Sequence, residues 1–478
     1  MSDASIPSQP LTAPADLPST LGALRARGHV HRSVKDELRQ NLLTLMADGG
    51  TSGDRFPGIV GFDDTVLPEL ERALLAGHDL VLLGERGQGK TRLIRSLVGL
   101  LDEWTPVIEG SELGEHPYDP VLPASIRRAR ELGGDLPVVW RHRSLRYSEK
   151  LATPDTSIGD LIGDVDPVKV AQGRTLGDPD TIHYGLVPRT HRGIVAVNEL
   201  PDLAERIQVG LLNVLEERDI QVRGYQLRLP LDLLLVASAN PEDYTNRGRI
   251  ITPLKDRFGA EIRTHYPLEL RTETDLLRQE ARLVAEVPEH VIEVLARFTR
   301  GVRDSPAVDA RSGVSARFAV AAAETVAASA LRRGALRGEP GAVARIGDSE
   351  SVVGTLRGKV EFEAGHEGRE TEVLAHLLRT AVAETFRARL GGADLAGFTA
   401  LVAEGGTVET GELVTSAEVM GQVGTVAGLG KVLGRLGLGD APSQGQAAAA
   451  VELVLEGLHL TRRLAKEATD DGRTVYGG

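Results

Sequence analysis

VLLGERGQGKTRL, residues 81–93, decides how this chain is read. Three apolar residues run into Gly84-x4-Gly89-Lys90-Thr91, and a helical pattern continues through Leu101. The glycines let successive backbone N–H groups turn toward one point, where an anion would sit. A helix N-terminus adds positive partial charge there. In this pattern the lysine reaches the outer phosphates of a nucleotide, and the Thr91 hydroxyl meets Mg²⁺. The expected nucleotide-binding set is therefore Gly84, Glu85, Arg86, Gly87, Gln88, Gly89, Lys90, Thr91 and Arg92, with ATP and Mg²⁺ as cofactors. An ordinary glycine-rich turn is the plain alternative, and the strand–loop–helix setting disfavours it.

A phosphate loop of this kind works with a second strand that ends in acidic residues. GIVAVNEL (193–200) fits by apolar content and position, about a hundred residues downstream. Glu199 is the expected general base, polarising a water. The metal-side position holds Asn198, an amide. Its oxygen still accepts a hydrogen bond from a metal-bound water, but it carries no charge. Weaker Mg²⁺ affinity, through water, and slower turnover are the expectation; loss of hydrolysis is not. Without a partner loop, the same stretch is a buried strand ending in a surface glutamate.

The 478 residues suffice for two to four domains, and 41% hydrophobic with 26% charged residues is ordinary for a globular chain. There is no cysteine, which excludes disulfides, thiolate metal sites and a cysteine nucleophile. That fits a reducing compartment, and a cytoplasmic location is expected. The net charge of −13 argues against a sequence-independent grip on nucleic acid. No apolar run is long enough to span a membrane, and the Ser/Pro/Ala-rich start lacks the features of a secretory signal.

Periodicity predicts a helix over Ser33–Met46 with Leu38, Leu42, Leu43 and Met46 on one face. The strands expected are 79–83, 136–140, 193–197 and 231–239, apolar enough for a parallel sheet covered on both faces. Several helices follow from Glu269 to Leu331, then an extended stretch over 354–363 and an amphipathic helix from Glu370 to Leu390. Residues 391–450 have poor periodicity, and a last helix is expected from about Gln446 to Glu467.

In this order the motifs resemble those of AAA+ ATPases, and more narrowly the branch holding the magnesium chelatase ATPase subunit and the MoxR proteins. RFPGIVGFDD (55–64) resembles the stretch that lies beside adenine in that family, which places Ile59, Val60 and Gly61 there. TPDTSIGDLIGDVDP (153–167) with YGLVPRTHRGI (184–194) is similar to the family insert, and residues 216–243 to its hairpin and sensor strand, ending in SANP. By the same resemblance Asn240 positions the attacking water. Arg257, in LKDRFG, acts on nucleotide bound by a neighbouring subunit, and Arg317 touches the γ-phosphate from the lid, with Arg311 as a competitor. A split site implies a ring, a hexamer by resemblance.

The resemblance covers about residues 55–335 and implies an α/β fold. This is an AAA+ P-loop parallel sheet flanked by helices, then an α-helical lid and a mostly helical C-terminal extension. The expected divisions are a disordered tail (1–24), an N-terminal helix and linker (25–54), the nucleotide core (55–267), the lid (268–335) and the C-terminal region (336–478). A chaperone-like remodelling motor is implied, working with a separate von Willebrand A domain protein on an unidentified client. The alternatives are a magnesium chelatase subunit driving Mg insertion into a porphyrin, and a nucleotide-gated scaffold with little hydrolysis. Asp178, Asp180 and His183 read as loop solvation rather than a metal site, and the alternation of His29 and His31 suits a strand or loop rather than a metal site. Arg218, Arg223 and Arg228 on the hairpin raise a nucleic-acid motor as a further rival, which the overall acidity disfavours.

Overall fold

The computed structural model describes residues 12–171, 181–222, 225–227, 229–241, 249–309, 313–403, 405–439, 441–469 and 472–478. Two compact units divide at His265 and Tyr266. Asp178, Asp180, Arg223, Arg228 and Arg311 lie outside the described residues.

The N-terminal unit is built on five parallel strands: β1 (Leu80–Leu83), β2 (Tyr147–Leu151), β3 (Gly193–Asn198), β4 (Leu233–Ala239) and β5 (Ala260–Arg263). Their order is β5-β1-β4-β3-β2. Every residue of β1, β3 and β4 is buried, because helices cover both faces of the sheet. Leu80, Leu82, Ile194, Ala196, Leu234 and Val236 pack with Leu93 and Ile94 of the helix that follows the phosphate loop. Their alternates Val81, Val195, Val197 and Leu235 pack with Ile207, Leu211 and Val214 of helix Glu205–Glu216. This is the α/β arrangement expected from the apolar runs.

Three local expectations are corrected. The stretch 136–140 is not in the parallel sheet: Val138–His142 pairs antiparallel with Trp104–Ile108, and only Val138 of that strand is buried. Its place beside β3 is taken by YSEKL, an edge strand whose polar residues gave no apolar signal. Residues 20–24, expected in the tail, are ordered: Thr20 caps helix Leu21–Ala26, and Leu21 and Leu24 are buried, Leu21 against Ile108 and Leu136. Helix Val34–Ala47 forms as expected, capped by Ser33, but Leu43 points outward at 48% exposure.

That helix instead buries a charge. Glu37 receives Arg146 Nη1 and Nη2 at 2.7 and 2.6 Å, and both residues are at most 2% exposed. Arg146 Nε donates to the Arg192 carbonyl at 2.7 Å, and the Asp102 amide donates to Glu37 Oε1 at 2.7 Å.

The C-terminal unit has one core. Leu295, Phe298, Phe318 and Val326, on the helices expected to form the lid, share it with Leu378, Phe386, Val451 and Val454. Helix Glu370–Leu390 lies where periodicity placed it. Helix Gln444–Leu460 is buried nearly all round, as its Ala/Val/Leu content requires. It ends at Leu460 rather than near 467, and the strands Ala465–Ala468 and Arg473–Gly477 follow, forming an antiparallel sheet with Val408–Gly411. Residues 351–359 are helical, which corrects the extended reading of 354–363. Within this unit Arg345 stands 3.2 Å from Glu452, and Arg333 meets Glu339 and Asp348 at 2.9 and 3.2 Å, both arginines fully buried.

Both tryptophans, Trp104 and Trp140, lie in the N-terminal unit, so their fluorescence reports its unfolding alone. Glu37→Ala leaves a buried guanidinium unpaired, and urea unfolding read this way should lose about 3–5 kcal/mol. Acid should act in the same direction. His29 Nε2 lies 3.1 Å from His116 Nε2, and His31 packs on His116. Burial first, then Arg192, holds His116 and His191 below the usual imidazole range, His191 at about 3. These histidines are neutral when folded and take up protons below about pH 6.5 when unfolded. The tryptophan-monitored urea midpoint should therefore fall between pH 6.5 and pH 4, and His116→Gln should flatten that dependence.

Candidate functional site

The site forms at the C-terminal ends of β1, β3 and β4, the edge where an open parallel sheet leaves a crevice. Gly84 donates its amide to Ala239 O at 3.2 Å, closing the loop onto β4. Gly87 and Gly89 have φ of 76° and 77°, and Gly89 caps the helix Lys90–Ser96. A side chain at position 84 has no room: its Cβ would fall 1.9 Å from Thr264 Oγ1 and 2.3 Å from Gln88 Oε1. Gln88 Oε1 accepts from the Glu85 amide at 3.0 Å and from Thr264 Oγ1 at 2.9 Å, which pins the loop to the end of β5. A cavity of about 370 Å³ opens here, lined in part by Gly84, Glu85, Gln88, Pro241, Lys255 and Thr264.

Lys90, 7% exposed, donates to the carbonyls of Gly84 and Glu85 and, at 2.8 Å, to Asn240 Oδ1. Asn240 Nδ2 donates at 2.6 Å to Glu199 Oε2. Three residues named from separate motifs thus form one hydrogen-bonded chain. Glu199 itself has φ 55° and ψ 46°, the left-handed region. For a residue with a Cβ that conformation is strained, and such strain gathers at functional sites.

Asn198 is held at both ends. Its Nδ2 donates to Glu149 Oε1 at 2.6 Å, and its Oδ1 accepts from Ser238 Oγ at 3.0 Å. A carboxylate only accepts, so the NH₂ must face Glu149 and the amide orientation is fixed. Glu149, on β2, also takes Arg95 at 2.8 and 3.2 Å and the Tyr147 hydroxyl at 2.8 Å. Neither Glu149 nor Ser238 was named from the sequence. No local motif marks Glu149, and Ser238, the first residue of the SANP motif, carries no signal of this contact; only the strand register shows that both meet Asn198.

The remaining residues fall in three places. Ile59, Val60 and Gly61 sit in the turn between helices Ser52–Arg55 and Val66–Ala76, with Ile59 buried and Gly61 at φ 83°. That turn borders the phosphate-loop helix, since a Cβ at Gly58 would lie 2.9 Å from Arg92 Nη2. Arg86 and Arg92 are exposed. Arg257, at the end of helix Thr252–Arg257, pairs with Glu216 at 2.8 Å and donates to Pro253 O at 3.0 Å. Arg317 is exposed in the first turn of helix Ala316–Arg337, in the C-terminal unit. Arg218 pairs with the buried Asp79 and donates to Leu233 O, which fastens it to β4 and to the residue before β1. His183 contacts Arg189 at 3.0 Å, and among the described residues no cluster of three His, Asp or Glu is disposed to hold a metal.

The donor set suits a nucleotide with a hard cation. A buried lysine, loop amides and a helix N-terminus serve phosphate. The Thr91 hydroxyl, the Asn198 amide and two carboxylates offer oxygen, which Mg²⁺ prefers while keeping several waters.

Magnesium-chelatase subunits are among the curated proteins similar to this chain. Magnesium-chelatase subunit ChlI of Guillardia theta is 30% identical over 197 residues, 40% of this chain and 52% of that protein. This chain resembles the magnesium chelatase ATPase subunit. The magnesium-chelatase 38 kDa subunit of Rhodobacter capsulatus is 30% identical over 229 residues, 47% of this chain and 59% of that protein. A solved structure of the complex between subunits BchI and BchD of magnesium chelatase is 22% identical, covering 66% of this chain and 96% of that one, with a TM-score of 0.34. No family model matches. The chelatase likeness and the sheet together give an AAA+ α/β fold followed by a mainly helical unit. The chain spans 52% and 60% of the length of two of the curated relatives it matches. Among the described residues no helix is long and apolar enough to cross a membrane.

Gly84→Ala should force the Thr264–Gln88 bond apart and cost about 1–3 kcal/mol, as overpacking does. The tryptophan-monitored urea midpoint measures it, and Gln88→Ala in the same chain should recover part of the loss.

Proposed function

We propose that this chain binds ATP with Mg²⁺ at residues 84–92 and hydrolyses it, as a ring-forming motor of chelatase/MoxR type. The observation that carries the reading is the chain Lys90–Asn240–Glu199, which joins a phosphate-binding cation to a general base through a water-positioning amide. Lys90 exchanges its loop carbonyls for phosphate oxygens. Glu199 takes the proton of the attacking water, and Asn240 holds that water in line. Mg²⁺, when bound, offsets phosphate charge and is met by Thr91 and, through water, by Asn198. Ile59, Val60 and Gly61 border the adenine. Arg317 reads nucleotide state.

Arg257 serves the neighbouring subunit's nucleotide, which makes a closed head-to-tail ring, taken as a hexamer, the working assembly. Its pair with Glu216 leaves it free to move, because a partly exposed ion pair is worth little. The curated relatives are named as subunits of a larger enzyme, in keeping with a partner that carries a von Willebrand A domain and a chaperone-like action on a client. The setting is cytoplasmic. Insertion of Mg into a porphyrin is the alternative that the chelatase resemblance implies, and it requires a porphyrin-binding partner. A nucleotide-gated scaffold is the second reading, favoured by an Asn198 amide already occupied by Ser238 and Glu149.

Lys90→Ala should abolish binding of a fluorescent ADP. Glu199→Gln should lower ATP turnover by about 10²–10⁴-fold, the usual contribution of a general base. Arg257→Ala should also be inactive alone. In an equal mixture of the two, about a quarter of the interfaces of a head-to-tail ring pair an intact Glu199 with an intact Arg257, and turnover should return in proportion. A mixture that stays inactive removes the shared site, and a wild type no faster than Glu199→Gln leaves the scaffold.

A further inference from the structure

The acid missing from position 198 has a counterpart one strand away. β2 and β3 run parallel in the register Glu149↔Ala196 and Leu151↔Asn198. Glu149 therefore shares a sheet face with Asn198, the face covered by the phosphate-loop helix through Leu93 and Ile94. Arg95, one turn after Thr91 on the same side of that helix, reaches Glu149 with two nitrogens. The row thus runs from the phosphate-loop helix through Arg95, Glu149 and Asn198 to Ser238 on β4.

We propose that Glu149 is the carboxylate of this metal side, displaced from β3 to β2, and that it aims the Asn198 amide. The inference rests on the nucleotide-site reading above. Two functions that one aspartate would combine are divided here. Asn198 offers a neutral oxygen whose direction is fixed, because its NH₂ is claimed by Glu149. Glu149, its charge shared with Arg95, places a carboxylate at one hydrogen bond's remove. Mg²⁺ keeps most of its waters, so a charge outside its direct ligands still acts on it. Glu149 is a positioning residue, working through Asn198. A glutamate present only to tie Arg95 and Tyr147 to the strand would leave the state of residue 198 without influence on its own effect.

The arrangement changes what restoring the usual acid would do. Asn198→Asp in the wild type sets two carboxylates at the 2.6 Å spacing of the present hydrogen bond. Like charges so close share a proton rather than both ionise, so little charge is gained. With Glu149→Gln already in place, the same substitution puts the single charge back.

The test is a double-mutant cycle at positions 149 and 198 on the full chain, read as the Mg²⁺ midpoint for binding a fluorescent ADP. Glu149→Gln should raise that midpoint about tenfold, the common cost of losing an outer partner of a metal ligand. Asn198→Asp should shift the wild type by less than about twofold and should recover most of the loss in Glu149→Gln. Tryptophan-monitored urea unfolding of each variant separates stability from metal response, and the glutamine keeps a side chain of the same size. An unchanged midpoint in folded Glu149→Gln overturns the proposal. So does an equal effect of Asn198→Asp in both backgrounds. Lys90→Ala distinguishes the two levels: if it still binds the fluorescent ADP, the nucleotide-site reading itself fails and the inference with it.

Discussion

The Arg146–Glu37 pair organises the N-terminal unit. Taking two charges out of water is expensive, and attraction alone repays it only when every remaining donor and acceptor is matched. Here the matching is close to complete. Both Nη atoms meet the carboxylate, Nε meets Arg192 O, and Asp102 N–H takes a second lone pair on Glu37. Arg146 immediately precedes β2, and Arg192 immediately precedes β3. One guanidinium therefore sets the starts of two adjacent strands against the N-terminal helix. The register that brings Glu149 beside Asn198 is inherited from that placement.

What the sequence made legible follows from where each element is buried. β1, β3 and β4 lie inside the sheet and must be apolar on both faces, so they announce themselves as runs. β2 is at the edge, and no residue of YSEKL is fully buried, so polar side chains serve there. The more apolar 136–140 carries the stronger strand signal, although it lies in a small ribbon outside the sheet. Motifs named Lys90, Glu199 and Asn240 one by one, since each sits at a fixed step from a strand end. The contact between Glu149 and Asn198 spans 49 residues and depends on register, which no local pattern encodes. The same is true of Glu37, a charged residue on a helix that periodicity alone would place outward.

In the C-terminal unit the long Ala-rich helices gave a clear signal for Glu370–Leu390 and an ambiguous one for the last helix. Gln444–Leu460 is buried all round, so it lacks an amphipathic edge that would mark its end. Its end is set by the strands that follow, paired with a segment more than fifty residues earlier. The helices expected to form a lid share one apolar core with the final third of the chain, and Arg333 and Arg345 are buried in the same unit. Burial of Arg333 and Arg345 among carboxylates makes that core intolerant of losing a single partner.

Glu199 holds a left-handed backbone on a residue with a Cβ, at a cost of about 1–2 kcal/mol that glycine would not incur. Selection for stability alone would drift this position toward glycine, and an engineered search for a hardier protein would find that change early. The strain turns the glutamate away from the strand axis and toward Asn240. If Glu199 is the general base proposed above, the residue doing the chemistry is also one the fold would be steadier without, so thermal robustness and chemical competence pull on the same site in opposite directions.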